Sequence, residues 1–280
     1  MKLGIHAYAW TSTWSNDTLY IIDNVRNLGL DYIEIPLMRL DLFDPKAVKE
    51  KLDGFGVITS NVILSEKHDI TSFDPEIRKN GVEYLKQCVK ASAEAGSKMF
   101  CGVLYSQFCK PATCPPTEEE WEFSASSLRE VAKYAADLGV SLAIEPCSRF
   151  MTYLINTCEQ GLKLIDMIGE PNVYLHLDSH HMNIEETNWY DAVTRAGDKL
   201  ANFHMCENDR GIAGTGLVNW DEIFRAFKDM GFDGNLGFEG FSDVTDNMDT
   251  WCWRKLAPDG DTFVRENVAF ARKMLAKYGL

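Results

Sequence analysis

The stretch TEEEWEFSASSLREVAKYAADLGVSLAIEP, Thr117 to Pro146, carries the reading on which the fold turns. Thr117 and Glu120 stand in capping-box register, apolar residues then recur every three or four positions, and Gly139 closes the pattern. Immediately after that glycine, VSLAIE (140–145) is short, β-rich and almost continuously apolar. A strand covered on both faces needs that composition, whereas a strand with one wet face would alternate. A capped helix leading into a doubly covered strand is the unit of an α/β fold with parallel strands.

The same unit recurs along the chain. LGIHAYA (3–9), YIEIPL (32–37), VITSNVI (57–63), KMFCGVLY (98–105), VYLHLD (173–178), LANFHM (200–205) and NLGFE (235–239) read as further buried strands. Amphipathic stretches lie between them. NDTLYIIDNVRNLGL (16–30) opens on helix-start residues and has a glycine near its end. DPEIRKNGVEYLKQCVKASAEAG (74–96) begins with Asp-Pro and stops at Gly96. NWDEIFRAFKDMGFDG (219–234) and DTFVRENVAFARKMLAKYG (261–279) follow the same grammar. Eight strand–helix alternations, with no linker-like composition break, predict one (β/α)8 TIM barrel over residues 1–280. A dinucleotide-binding sheet would want G-x-G-x-x-G after the first strand, and GIHAYAW has none.

Bulk chemistry narrows the function. Apolar residues make up 45% of the 280-residue chain and charged residues 25%, as in a soluble globular protein. A net charge of −14 argues against a nucleic-acid partner, because phosphate backbones are bound by basic surfaces. No apolar run reaches membrane-spanning length and the N-terminus lacks a signal-peptide core, so a cytoplasmic protein with no membrane partner is expected. The eight cysteines are scattered without a C-x-x-C pair and are read as reduced, with only Cys109 and Cys114 close in sequence.

Barrels of this kind carry their chemistry at the C-terminal ends of the strands. The last polar residues of strands five to eight are Glu145, Asp178, His204 and Glu239. Adjacent strands lie about 5 Å apart, so four neighbouring strand ends can converge on one ion. Three carboxylates and an imidazole form a hard, oxygen-rich donor set, suited to Mn2+ first and to Co2+ or Mg2+. Each residue taken singly would pass as an ordinary strand-end polar group. Four in series favour a metal.

Beyond these strand ends, SLAIEPCSRFMTYLINT (141–157), LHLDSHHMNIEE (175–186), FHMCENDRGIAGTG (203–216) and GFEGF (237–241) resemble the D-tagatose 3-epimerase family of ketose 3-epimerases, within the xylose-isomerase-like barrels. The likeness runs through nearly the whole chain. It implies Glu145, Asp178, His204 and Glu239 as metal ligands, with His181 and Arg210 holding substrate hydroxyls. It implies a free ketose as substrate, epimerised at C3 through a cis-enediolate, with Glu145 and Glu239 as the acid–base pair. A homodimer or homotetramer is implied as well. Glu207 aligns with a family carboxylate whose role is left open, while His180, Glu185 and Glu186 read as loop and helix-cap residues. The chain departs from the family pattern on the expected pocket wall. Met151 stands where Glu is common, His6 where Tyr is common and Phe108 where Trp is common, so the preferred sugar is open. Trp10 and Phe241 are further candidates for the apolar wall. An aldose–ketose or hydroxypyruvate-type isomerase would use the same barrel and metal and differ in the carbon that receives the proton. A DNA-repair endonuclease would want more histidines and a basic face. A non-catalytic sugar-binding protein would not need both glutamates.

Overall fold

Eight apolar runs close on themselves as one parallel sheet in the computed structural model, which describes residues 1–241 and 254–280. The chain runs β1 (Lys2–His6), α1 (Ile21–Asn27), β2 (Tyr32–Pro36), α2 (Pro45–Leu52), β3 (Gly56–Ser60), α3 (Pro75–Ala95), β4 (Met99–Gly102) and α4 (Glu118–Asp137). It continues with β5 (Ser141–Ile144), α5 (Cys158–Ile168), β6 (Val173–Asp178), α6 (Ser179–Glu185), α7 (Trp189–Ala196), β7 (Leu200–His204), α8 (Trp220–Met230), β8 (Asn235–Phe238) and α9 (Gly260–Tyr278). Each strand pairs in parallel with its sequence neighbour, and β8 returns to β1 through Lys2↔Asn235 to Ile5↔Phe238. This is the (β/α)8 barrel the alternation predicts.

The helix signals act as the sequence suggests. Thr117 Oγ1 accepts from the Glu120 amide while the Glu120 carboxylate accepts from the Thr117 amide, so two orphan donors of α4 are satisfied reciprocally. Asp74 caps α3 ahead of Pro75, and Gly96 ends that helix in the left-handed region at φ +91°. Apolar faces of the helices then cover the outside of the barrel in one continuous core that includes Ile5, Ile33, Leu128, Leu164, Phe203 and Phe227.

Four expected elements are shorter than read. LGIHAYA leaves the strand after His6, because His6 Nδ1 accepts from the Tyr8 amide (3.1 Å) and turns Ala7–Ala9 into a 3-10 turn. VITSNVI stops at Ser60, where Asn61 takes φ +48°, and KMFCGVLY stops at Gly102, φ +124°. The helix expected from Asn16 starts at Ile21. A Ser15–Thr18 capping box first closes a separate 3-10 turn over Asn16–Thr18.

A large ring packs inside the barrel with Ile58, Cys101 and Ala143. Tyr32 points inward from β2, and its hydroxyl lies 3.5 Å from Asn202 Oδ1 across the barrel. Room for it comes from glycines on two neighbouring strands. A Cβ on Gly4 would meet the Tyr32 ring at 2.2 Å, and one on Gly237 would meet its hydroxyl at 2.9 Å and His204 Cδ2 at 3.1 Å. Gly4→Ala is therefore expected to cost about 1–3 kcal/mol as an overpacked core. A shift of the denaturation midpoint at constant m-value measures it, and an unchanged midpoint would refute this packing account.

Candidate functional site

The parallel register aligns strand ends, and that brings distant acids together. Asp178 and His204 are register partners at the ends of β6 and β7, and His204 faces Gly237 on β8. Glu145 and Glu239 follow directly after β5 and β8. All four side chains are buried. His204 Nδ1 lies 3.8 Å from Glu239 Oε2 and 3.9 Å from Asp178 Oδ2. Donor atoms of Asp178, His204, Cys206 and Glu239 lie within 4.8 Å of one another, and a second group joins Glu145, His176 and His204. The four strand-end residues thus fall in two overlapping clusters that share His204.

The carboxylate that orients His204 was not singled out in the sequence. Glu34, in the middle of β2, is fully buried and accepts from His204 Nε2 at 2.9 Å. That bond fixes the Nε2 proton and turns Nδ1 toward Asp178 and Glu239. His204 Nδ1 has no hydrogen-bond partner among the described residues. Burial alone would lower the His204 pKa, but the Glu34 carboxylate, followed by Glu239 and Asp178, outweighs it and pushes the value up to about 10. Burial, with Glu239 and Asp178 adding repulsion, drives Glu145 well above the usual carboxylate range. The site therefore presses for positive charge. A divalent cation would take the place of the extra ring proton, with Nδ1 as a donor between the carboxylates, so the group is a plausible seat for one. Its donors are mainly carboxylate oxygens, and the Cys206 thiol is engaged with the Glu239 carbonyl (3.2 Å).

Arg210 supplies the fixed positive charge. Its Nη1 donates to Asp178 Oδ2 (2.5 Å) and Glu239 Oε2 (2.8 Å), and its guanidinium lies 5.6 Å from the centre of the Phe241 ring. Against the upward push of burial, the charge of Arg210 holds Asp178 well below the usual carboxylate range. His181 Nδ1 accepts from the Ser148 amide (3.2 Å), which fixes the other tautomer. Its Nε2 lies at the pocket edge, 3.3 Å from Arg210 Nη2 and 3.9 Å from Glu145 Oε1. Arg210 (φ +66°) and Asn61 (φ +48°) both hold left-handed backbone, and Asn61 Nδ2 donates to Glu239 Oε1 (3.1 Å). Strain at two site residues is the kind of cost that functional geometry retains.

These groups line a cavity of about 80 Å3. Glu145, His181, Arg210 and Glu239 contribute the polar side, while Val103, Phe108, Met151 and Phe241 contribute the apolar one. Phe108 and Met151 are tied together through their loops, since the Cys109 amide donates to the Met151 carbonyl (2.8 Å). Two expected wall residues sit elsewhere. His6 is behind the lining, where its Nε2 meets Ser60 Oγ (3.1 Å), because both ring nitrogens are used to end β1 and brace β3. Trp10 is turned away, with its indole donating to Asp261 (2.8 Å). Glu207 faces its own loop, accepting from the Gly214 amide (2.8 Å) and the Trp220 indole (2.7 Å). Glu185 and Glu186 brace neighbouring loops through the Arg149 and Cys158 amides, as loop and cap residues do.

A family model described as the xylose isomerase-like TIM barrel matches residues 22–274. A ketose 3-epimerase from Arthrobacter globiformis is 34% identical over 98% of this chain and 97% of its own. The chain belongs to the ketose 3-epimerase family. Solved members superpose closely. A D-allulose 3-epimerase from Methylomonas sp. matches at TM-score 0.93 and 33% identity, covering 98% of each chain. A D-psicose 3-epimerase from Clostridium cellulolyticum H10, solved with D-tagatose, matches at TM-score 0.89 and 31% identity over 98% of this chain and 99% of that one. Family membership makes this an enzyme lineage acting on carbohydrates, in keeping with the enclosed acidic site. Among the described residues, no helix is long and apolar enough to cross a membrane.

Proposed function

We propose that the chain is a metal-dependent epimerase that inverts C3 of free ketoses of the D-tagatose, D-psicose and L-ribulose type. One observation carries the reading: Glu145 and Glu239, from opposite sides of the strand-end cluster, line the same cavity, beside a His204 whose Nδ1 has no hydrogen-bond partner among the described residues. Glu145, Asp178, His204 and Glu239 would hold the cation, with Mn2+ favoured by the oxygen-rich donor set and Co2+ or Mg2+ as substitutes. When bound, such an ion stabilises, as a Lewis acid, the negative charge that develops on the sugar oxygens.

The remaining work falls to the chain. One glutamate removes the proton at C3, and the electron pair left behind delocalises into the C2 carbonyl as a cis-enediolate. The other glutamate, in its acid form, returns a proton to the opposite face. The His181 Nε2–H donates to a substrate oxygen, Arg210 holds the hydroxyl-bearing chain, and the apolar wall excludes water. The test is turnover in D2O. Deuterium should enter C3 as the epimer accumulates; label at C1 with formation of an aldose would establish the isomerase instead. We also propose a cytoplasmic homodimer or homotetramer. Light scattering would report the oligomeric state.

Specificity rests on Met151. A carboxylate at this wall would discriminate by hydrogen bonding, whereas a thioether offers an adaptable apolar surface. Met151→Glu is expected to raise kcat/KM for D-fructose or D-tagatose relative to a pentulose by about tenfold, a shift on the order of one hydrogen bond to a charged group. An unchanged ratio would mean that the position does not set chain-length preference.

A further inference from the structure

One buried imidazole has no task in the epimerase reading above. His176 lies on β6 two residues before Asp178, so both side chains face the barrel interior, one layer apart. It is fully buried, and neither of its ring nitrogens has a hydrogen-bond partner among the described residues. Its Nδ1 lies 3.8 Å from Glu145 Oε2, and its ring meets that of His204 edge-on, with centroids 4.1 Å apart. A buried polar group without a partner is costly, and leucine or methionine would fill an apolar layer without that cost. The imidazole therefore calls for a partner that the polypeptide does not supply.

We propose that His176 is an additional nitrogen donor to the divalent cation, forming with Glu145 and His204 a second, deeper seat at the base of the site. The proposal rests on the metal-dependent reading of this rim. The three donor atoms lie within 4.8 Å of one another. Three donors evenly spread at ordinary bond lengths around one ion stand about 3.7 Å apart or less, so the side chains would draw in by up to about an ångström on binding. A two-imidazole donor set turns an oxygen-rich centre toward Co2+, Ni2+ or Zn2+ and away from Mg2+. The seat shares Glu145 and His204 with the upper one, so a single ion would be drawn down rather than a second one added.

Pulsed EPR of the Mn2+-loaded enzyme without sugar counts the ligating imidazoles. Two are expected in the parent and one in His176→Leu, with a Co2+-over-Mg2+ binding ratio in competition calorimetry at least tenfold larger for the parent. One imidazole in both proteins, with equal ratios, overturns the proposal and leaves His176 as a packing residue. If the leucine variant does not fold, the nitrogen count of the parent decides alone. Failure of the parent to bind any of these ions would overturn the metal-dependent reading itself, a result distinct from the one-imidazole outcome.

Discussion

Replacing Glu239 by Gln is expected to lower turnover by about 10²–10⁴-fold, the usual contribution of a positioned proton-transfer group. The substitution keeps shape and volume but not chemistry. Glu239 offers one oxygen to Asn61 and the other to Arg210. A glutamine can satisfy one of those donors with its carbonyl and must turn its amide toward the other. It also removes one of the negative charges that face His204. Glu145→Gln should lose turnover to a similar degree. Because the two glutamates serve opposite faces of C3 in the proposed mechanism, the variants should separate in one measurement. A variant lacking the base should fail to exchange the C3 proton of one epimer with D2O while still exchanging that of the other. Equal residual exchange with both epimers would argue against a two-sided mechanism, and turnover within tenfold of the parent would remove either residue from the chemistry.

That such variants can be chosen at all reflects how a barrel is written into its sequence. A strand buried on both faces has no use for a polar residue until it leaves the sheet. The last polar residue of VSLAIE, VYLHLD and NLGFE therefore marks the rim, and Glu145, Asp178 and Glu239 stand at it. Caps were legible for a similar reason, since Thr117 with Glu120 and Asp74 with Pro75 satisfy local backbone donors that any helix start exposes. Contacts across the barrel were not legible in this way. Glu34 is 170 positions from its partner His204, and only the oddity of a charge inside YIEIP could have flagged it. Asn61 reads as part of the strand VITSNVI, and its bond to Glu239 depends on β3 ending at Ser60 and on the closed barrel bringing that end near β8. The resemblance places His6 on the pocket wall, and here its side chain sits behind the lining, bonded to Ser60 and the Tyr8 amide. A polar residue at a strand end can brace the backbone as readily as it can meet a ligand.

Chelation is expected to abolish turnover and to lower the melting temperature together, because the same ion would serve chemistry and charge balance. Glu34, Glu145, Asp178 and Glu239 are all buried, and Arg210 is the one buried arginine among them in the described residues. A cation that binds the folded form at one hundred times its Kd adds about 2.7 kcal/mol of stability. At about 2–4 °C for each kcal/mol in a chain of a few hundred residues, its removal should lower Tm by roughly 5–10 °C. Mn2+ or Co2+ should restore both quantities. Glu34→Gln provides the graded version of this experiment. The amide can still accept from His204 Nε2 but no longer polarises the ring, so metal affinity should weaken by about 10–100-fold while the expected ligands stay in place. Asp178→Asn, at a proposed ligand itself, should weaken it further. Full activity in a metal-free preparation, with Tm unmoved by Mn2+, would separate this acidic cluster from metal chemistry and leave Arg210 and His204 as its only counter-charges.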